Sequence, residues 1–71
     1  MIFYVYMLKS VNNKITKTYV GYTNNLNLRL KKHNAGTGAK STRGYKWKII
    51  YKKIFYDKRL AMSFEYKLKK D

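Results

Sequence analysis

The chain contains no cysteine and runs to only 71 residues, so whatever it folds into rests on one packed core, with no disulfide and no thiolate-bound metal to hold it. Such a core needs apolar material. Hydrophobic residues supply 45% of the chain and aromatics 17%, eight of them tyrosines, which separates it from a disordered basic tail even though 28% of residues are charged. One domain spanning residues 1–71 is expected. His33 is the only histidine, which puts a multi-histidine zinc cage out of reach and leaves a hard ion held through oxygen as the metal such a chain can bind.

Seventeen Lys and Arg against three Asp and Glu give a formal net charge of +14 at pH 7. Self-repulsion of that size exceeds what solubility requires and favours a polyanionic partner, either nucleic acid or an anionic membrane. The basic residues are spread along the chain instead of lining one amphipathic helix, which favours nucleic acid. No apolar run approaches the roughly 18 residues of a membrane span. The opening Met1-Ile2-Phe3-Tyr4-Val5-Tyr6-Met7-Leu8 lacks the basic front and small-residue cleavage site of a secretion signal. A soluble, cytoplasmic protein without membrane attachment is therefore expected.

With no proline, the punctuation comes from glycine and asparagine. Residues Ile2 to Lys9 are β-branched, aromatic and apolar without helical period, and read as a strand buried on both faces. Ser10 to Thr16 forms the turn, with Asn12 and Asn13 able to take left-handed angles, and Lys17 to Tyr22 returns as the second strand of a hairpin. Thr23-Asn24-Asn25 offers caps to a helix that Gly36 closes, with Leu26, Arg29, Leu30 and His33 on one face. Thr37 to Gly44 is small, polar and basic, and reads as a mobile loop. Trp47 to Tyr56 alternates imperfectly as a third strand that turns Lys46, Lys48, Lys52 and Lys53 mainly to solvent. Asp57 caps a last helix running toward Lys70, with Leu60, Ala61, Phe64 and Leu68 as its apolar stripe and Glu65, the only glutamate, on the stripe's margin.

Several residues carry chemical potential, and each has a plainer alternative. Tyr6 and Tyr19 suit strand packing as well as proton transfer. Arg29 suits a solvated helix face, and His33 a helix C-terminus. Glu65 beside a core stripe needs a cation to offset its desolvation, which a metal ion, Arg29 or Lys69 at i+4 could supply. Gly21 could mark no more than a bulge.

Taken in order, Tyr4-Val5-Tyr6, Tyr19-Val20-Gly21, Arg29, His33 and Glu65 resemble the GIY-YIG nuclease superfamily, most closely its small single-domain bacterial members. Thr23-Asn24-Asn25, the Gly36-Thr37-Gly38-Ala39-Lys40 loop and Ala61…Glu65-Tyr66 also have counterparts there. Tyr4 stands where the first motif has glycine. The resemblance implies an α+β fold, β-β-α-β-α, with a three-stranded antiparallel sheet flanked by helices. It implies that Tyr19 is the general base, that Tyr6 holds water or the metal's hydration shell beside it, and that Arg29 binds non-bridging phosphate oxygens. His33 would hydrogen-bond the tyrosines or relay a proton, and Glu65 would anchor one Mg²⁺ or Mn²⁺. Tyrosine, with a reference pKa near ~10, needs nearby cations to act as a base at neutral pH, and the high positive charge should act in that direction.

These roles describe a metal-dependent endonuclease acting on DNA, possessing no base-reading module and hence suited to branched or nicked DNA, with a partner protein supplying targeting. Lys32, Lys40, Arg43 and Lys46 are the expected nucleic-acid contacts. The competing expectation is a non-catalytic basic adaptor that keeps the fold and binds DNA or RNA.

Overall fold

Nine consecutive residues of high strand propensity, Phe3–Val11, form β1, the middle strand of a three-stranded antiparallel sheet. The computed structural model describes residues 1–12 and 14–70. Asn13 and Asp71 lie outside them. β2, Thr18–Thr23, pairs with β1 on one side and β3, Lys46–Phe55, on the other, in the order β2-β1-β3. With α1 (Leu26–Asn34) and α2 (Lys58–Lys70), the architecture is the expected α+β arrangement, β-β-α-β-α.

Strand alternation divides the molecule into two cores. Tyr6 and Leu8 point to one face and pack with Leu26 of α1 and Trp47 of β3, joined by Tyr4, Tyr19, Leu30, Tyr45 and Ile49. Val5 is fully buried on the opposite face, where Phe64 of α2 packs against Tyr51 and Phe55 at ring separations of 6.4 and 5.3 Å. A central strand with buried residues on both faces matches the continuous apolar run in the sequence.

Three boundaries differ from expectation for identifiable reasons. β1 continues through Ser10 and Val11 because Trp47 and Lys46 of β3 extend the ladder there. Ser10 is buried, and its hydroxyl accepts the Lys17 N–H at 2.8 Å. The imperfect alternation of β3 is a bulge: Met7 pairs with Tyr51 and Leu8 with Ile49, leaving Ile50 as an extra residue that switches the facing of everything beyond it. The stripe of α2 is Ala61, Phe64, Glu65 and Leu68, at i, i+3, i+4 and i+7. Leu60, expected in the stripe, is 59% exposed because it sits one residue, and so about 100°, off that line.

The turn and caps follow local chemistry. Asn12 takes φ 61° and Gly36 φ 81°, both in the left-handed region that Asn and Gly tolerate best. Asn25 accepts the Leu28 N–H at 3.2 Å as the N-cap of α1, and Asp57 accepts the Arg59 N–H at 2.9 Å to open α2.

The loop from Thr37 to Gly44, expected to be irregular and mobile, is pinned instead. Lys40–Thr42 forms a 3-10 turn, Thr42 is fully buried, and its carbonyl accepts the Trp47 indole N–H at 3.0 Å. Asn34 at the end of α1 reinforces this corner, its side chain accepting the Trp47 N–H at 2.6 Å and donating to the Trp47 carbonyl at 3.3 Å. The two hydrogen bonds tie α1 to the start of β3.

Candidate active site

Tyr6 and Gly21 face each other directly across β1 and β2, and this pairing lets a large phenol lie flat over the neighbouring strand. A Cβ built on Gly21 would come within 2.7 Å of the Tyr6 hydroxyl, 2.9 Å of its Cζ and 3.0 Å of Tyr19 Cε2. Gly21 is thus the vacancy that two tyrosine rings occupy, not a bulge. Gly21→Ala is expected to cost about 1–3 kcal/mol of stability by overpacking and to disturb the Tyr6 hydroxyl. Denaturant unfolding checks the first effect. Wild-type stability in the alanine protein would show that the rings need no such room.

His33 reaches the same point from α1. It is fully buried, with Nε2 2.9 Å from the Tyr6 hydroxyl and Nδ1 2.9 Å from the Thr42 hydroxyl. Tyr19 completes the group, its ring centroid 4.8 Å from that of His33 and 6.3 Å from that of Tyr6. His33 is therefore no helix cap: it is the hub between two tyrosines and the loop. The helical spacing that put Arg29 one turn before His33 brings the guanidinium to the same cluster, where its Nε is buried without a hydrogen-bond partner.

The electrostatics follow from this crowding. Burial pushes the Tyr6 phenol above its ordinary pKa, while Arg29 pulls the other way and loses. The expectation that the positive surroundings lower tyrosine pKa thus fails at Tyr6, because removing a phenolate from water costs more than one nearby cation returns. Burial, followed by the charge of Arg29, depresses the His33 pKa and favours a neutral imidazole at neutral pH. Polar contact with the Tyr6 oxygen raises the Arg29 pKa against the effect of burial.

Glu65 approaches from α2, near enough that its charge also raises the Tyr6 pKa. Its side chain is only 15% exposed and pairs with Lys69 at 3.1 Å. Among the described residues no three His, Cys, Asp or Glu side chains gather as a metal cage. That donor set fits a cation anchored by one carboxylate and otherwise hydrated, the pattern hard divalent ions accept most readily. Asp57 is engaged as the α2 cap.

The structure brings Tyr6, Tyr19, Arg29 and His33 together, with Glu65 at their side. Lys32 lines the open groove beside Arg29 with Thr23, Asn24, Asn25 and Leu28. Lys40 and Arg43 are exposed on the pinned loop, and Lys46 donates to the Asn34 carbonyl at 3.2 Å. Sequence reasoning gave Thr42 no role, and it named Gly38 only as part of the Gly36–Lys40 loop shared with the family. A Cβ on Gly38 would fall 2.5 Å from His33 Nδ1 and 2.9 Å from its backbone nitrogen. What neither residue shows locally is its contact with His33, which folding alone creates.

A family model described as the GIY-YIG catalytic domain matches residues 2–71. The chain is 48% identical over 68 residues to a UPF0213 protein of Clostridium perfringens, covering 94% of this chain and 70% of that protein. It is 45% identical over 67 residues to one from Oceanobacillus iheyensis, covering 93% and 74%. Among solved structures, the solution NMR structure of a UPF0213 protein from Bacillus halodurans shares 36% identity, with a TM-score of 0.54 over 100% of this chain and 73% of that one. A family match over nearly the whole chain, together with relatives of this similarity, shows that the chain belongs to the GIY-YIG nuclease superfamily, among its small UPF0213 proteins.

Proposed function

We propose that this chain is a metal-dependent endonuclease that hydrolyses DNA phosphodiester bonds, acting as a single cytoplasmic domain in repair or recombination. The observation that carries this reading is Arg29, which lines open grooves beside α1 next to two phenols and an imidazole. A guanidinium on a groove wall meets phosphate oxygens with matching charge and fork geometry.

In the reaction, Arg29 holds the non-bridging oxygens of the scissile phosphate, where negative charge grows as water attacks phosphorus. Tyr19, set at the rim of the cluster, takes the proton of the attacking water, and Tyr6 orients that water. His33 holds Tyr6 in place. Glu65 would hold Mg²⁺ or Mn²⁺, which supplies positive charge for the leaving alkoxide. Lys32 lines the groove beside Arg29, and the exposed Lys40, Arg43 and Lys46 add further positive charge for the backbone. None of these groups reads base edges in an obvious way, so shape, as in branched or nicked DNA, and a targeting partner would select the substrate.

The test combines cleavage and binding on one set of duplex, nicked, forked and four-way-junction DNAs. Mg²⁺- or Mn²⁺-dependent product that disappears with chelator is expected. Binding should weaken with salt at a slope of about −0.9 in log K per phosphate neutralised, and Lys40→Ala and Arg43→Ala should weaken all substrates alike. A slope near zero would eliminate backbone recognition.

The Glu65–Lys69 pair favours a second reading, in which the carboxylate is committed to the helix surface and the fold serves as a basic nucleic-acid adaptor. Tight, salt-dependent binding without cleavage under any metal or substrate would establish it.

A further inference from the structure

We propose that Thr42 is a positioning residue that fixes the tautomer of His33, making its Nε2 the acceptor of the Tyr6 hydroxyl proton. The argument is one of donors and acceptors along a buried chain. Tyr6 Oη, His33 Nε2, His33 Nδ1, Thr42 Oγ1 and the Ala39 carbonyl oxygen follow one another through hydrogen bonds of 2.9 Å each across the imidazole. Tyr6, His33 and Thr42 are each no more than 1% exposed, so bulk water is not available to rescue a mismatched proton.

The two ends of this chain are not equivalent. The Ala39 carbonyl can only accept, and the guanidinium of Arg29, near the Tyr6 oxygen at the other end, can only donate. If the Thr42 hydroxyl gives its proton to Ala39, its oxygen accepts Nδ1–H, Nε2 is bare, and Tyr6 donates to it while turning its lone pairs toward Arg29. Every group is then paired. In the reverse order Thr42 donates to Nδ1, Nε2–H donates to Tyr6, and the Tyr6 proton is left facing a cation. The first order is therefore the stable one. The Ala39 N–H, 3.2 Å from Thr42 Oγ1, adds a second donor to that oxygen and biases its proton further toward the carbonyl.

The loop is built around this contact. Gly38 lies against His33 so closely that any side chain would strike the imidazole, and the Trp47 indole grips the Thr42 carbonyl. With Nε2 bare and the Tyr6 proton held on it, the lone pairs of the Tyr6 oxygen keep one fixed direction from which to orient the attacking water. The neutral imidazole keeps Nδ1–H on Thr42, and those lone pairs face Arg29.

This inference rests on the nuclease reading only for its kinetic consequence, and nitrogen NMR of His33 tests the tautomer without activity. In the wild-type protein, Nδ1 is expected to resonate as protonated and Nε2 as bare. Thr42→Val should shift His33 toward the Nε2–H form and slow cleavage by roughly ten- to a hundredfold, the scale seen when the partner orienting a functional histidine is removed. DNA affinity should stay within about twofold, since Thr42 touches no phosphate-binding group. Thr42→Ser, which keeps the hydroxyl, should restore both tautomer and rate. A wild-type Nε2–H tautomer overturns the proposal, as does a valine protein that keeps the Nδ1–H form and full rate. If the valine protein does not fold, the wild-type and serine spectra decide alone. The expected tautomer in a protein that cleaves nothing supports the role of Thr42 and removes only the nuclease reading.

Discussion

Glu65→Gln is expected to abolish cleavage while leaving DNA affinity equal or slightly higher. The substitution keeps the shape of a side chain that is 85% buried in its helix setting, as its 15% exposure indicates, and removes only the charge. If that charge anchors the cation, no other carboxylate among the described residues replaces it, because Asp57 accepts the Arg59 N–H as a cap and no metal cage forms elsewhere. Removing one negative charge near the phosphate path also reduces repulsion. If Glu65 serves only its ion pair with Lys69, the same change should shift stability by about 0.3–0.5 kcal/mol and leave cleavage intact. Cleavage and binding measured on one junction substrate separate the two, and a fully active glutamine protein would end the metal-anchor role.

Arg29→Ala should lower turnover by about a hundred- to a thousandfold, the range found when a donor to developing negative charge is deleted. Affinity should fall far less, because fifteen or more other cations sustain ground-state binding and one lost phosphate contact changes the salt slope by only about 1. The unpaired Nε adds a second expectation. A buried donor without a partner costs stability in the resting protein, while losing the guanidinium contact with the buried Tyr6 oxygen works the other way, so the alanine protein should change little in stability, and lysine, which lacks the fork, should not restore the rate. Equal losses in turnover and affinity would reduce Arg29 to a docking contact. A large loss of stability would show that the guanidinium holds the fold together.

Much of this was legible in the linear sequence because it is local. The unbroken apolar run of β1 announces a central strand, Asn25 and Asp57 are caps by their own side-chain oxygens, and helical spacing puts Arg29 and His33 on one face before any tertiary contact forms. The order of the tyrosine motifs, Arg29, His33 and Glu65 identified the family, and with it the sheet topology. The inward position of Glu65 was also within reach: counting from Ala61 gives i+4, the same line as Phe64 and Leu68. Leu60 obscured it by suggesting a stripe that begins one residue early.

Other features belong to no local pattern. The bulge at Ile50 depends on how β3 fits β1, since the same alternation is compatible with two registers until cross-strand packing selects one. Thr42 and Gly38 sit in a segment whose composition says only loop, yet folding closes that segment over His33, and burial then turns an ordinary hydroxyl into the group that dictates a proton's place. The same burial reverses the effect expected of the charge on Tyr6. Net charge is a property of the whole chain and can be counted from its residues, whereas the field at one phenol depends on which solvent has been removed from around it. Composition and periodicity therefore gave the charge and the elements of this protein, while the order of its motifs, by resemblance, gave its family and its candidate residues. Which side chains share hydrogen bonds, and how far burial outweighs charge at Tyr6, were decided only when strands and helices brought distant side chains into one water-poor cluster.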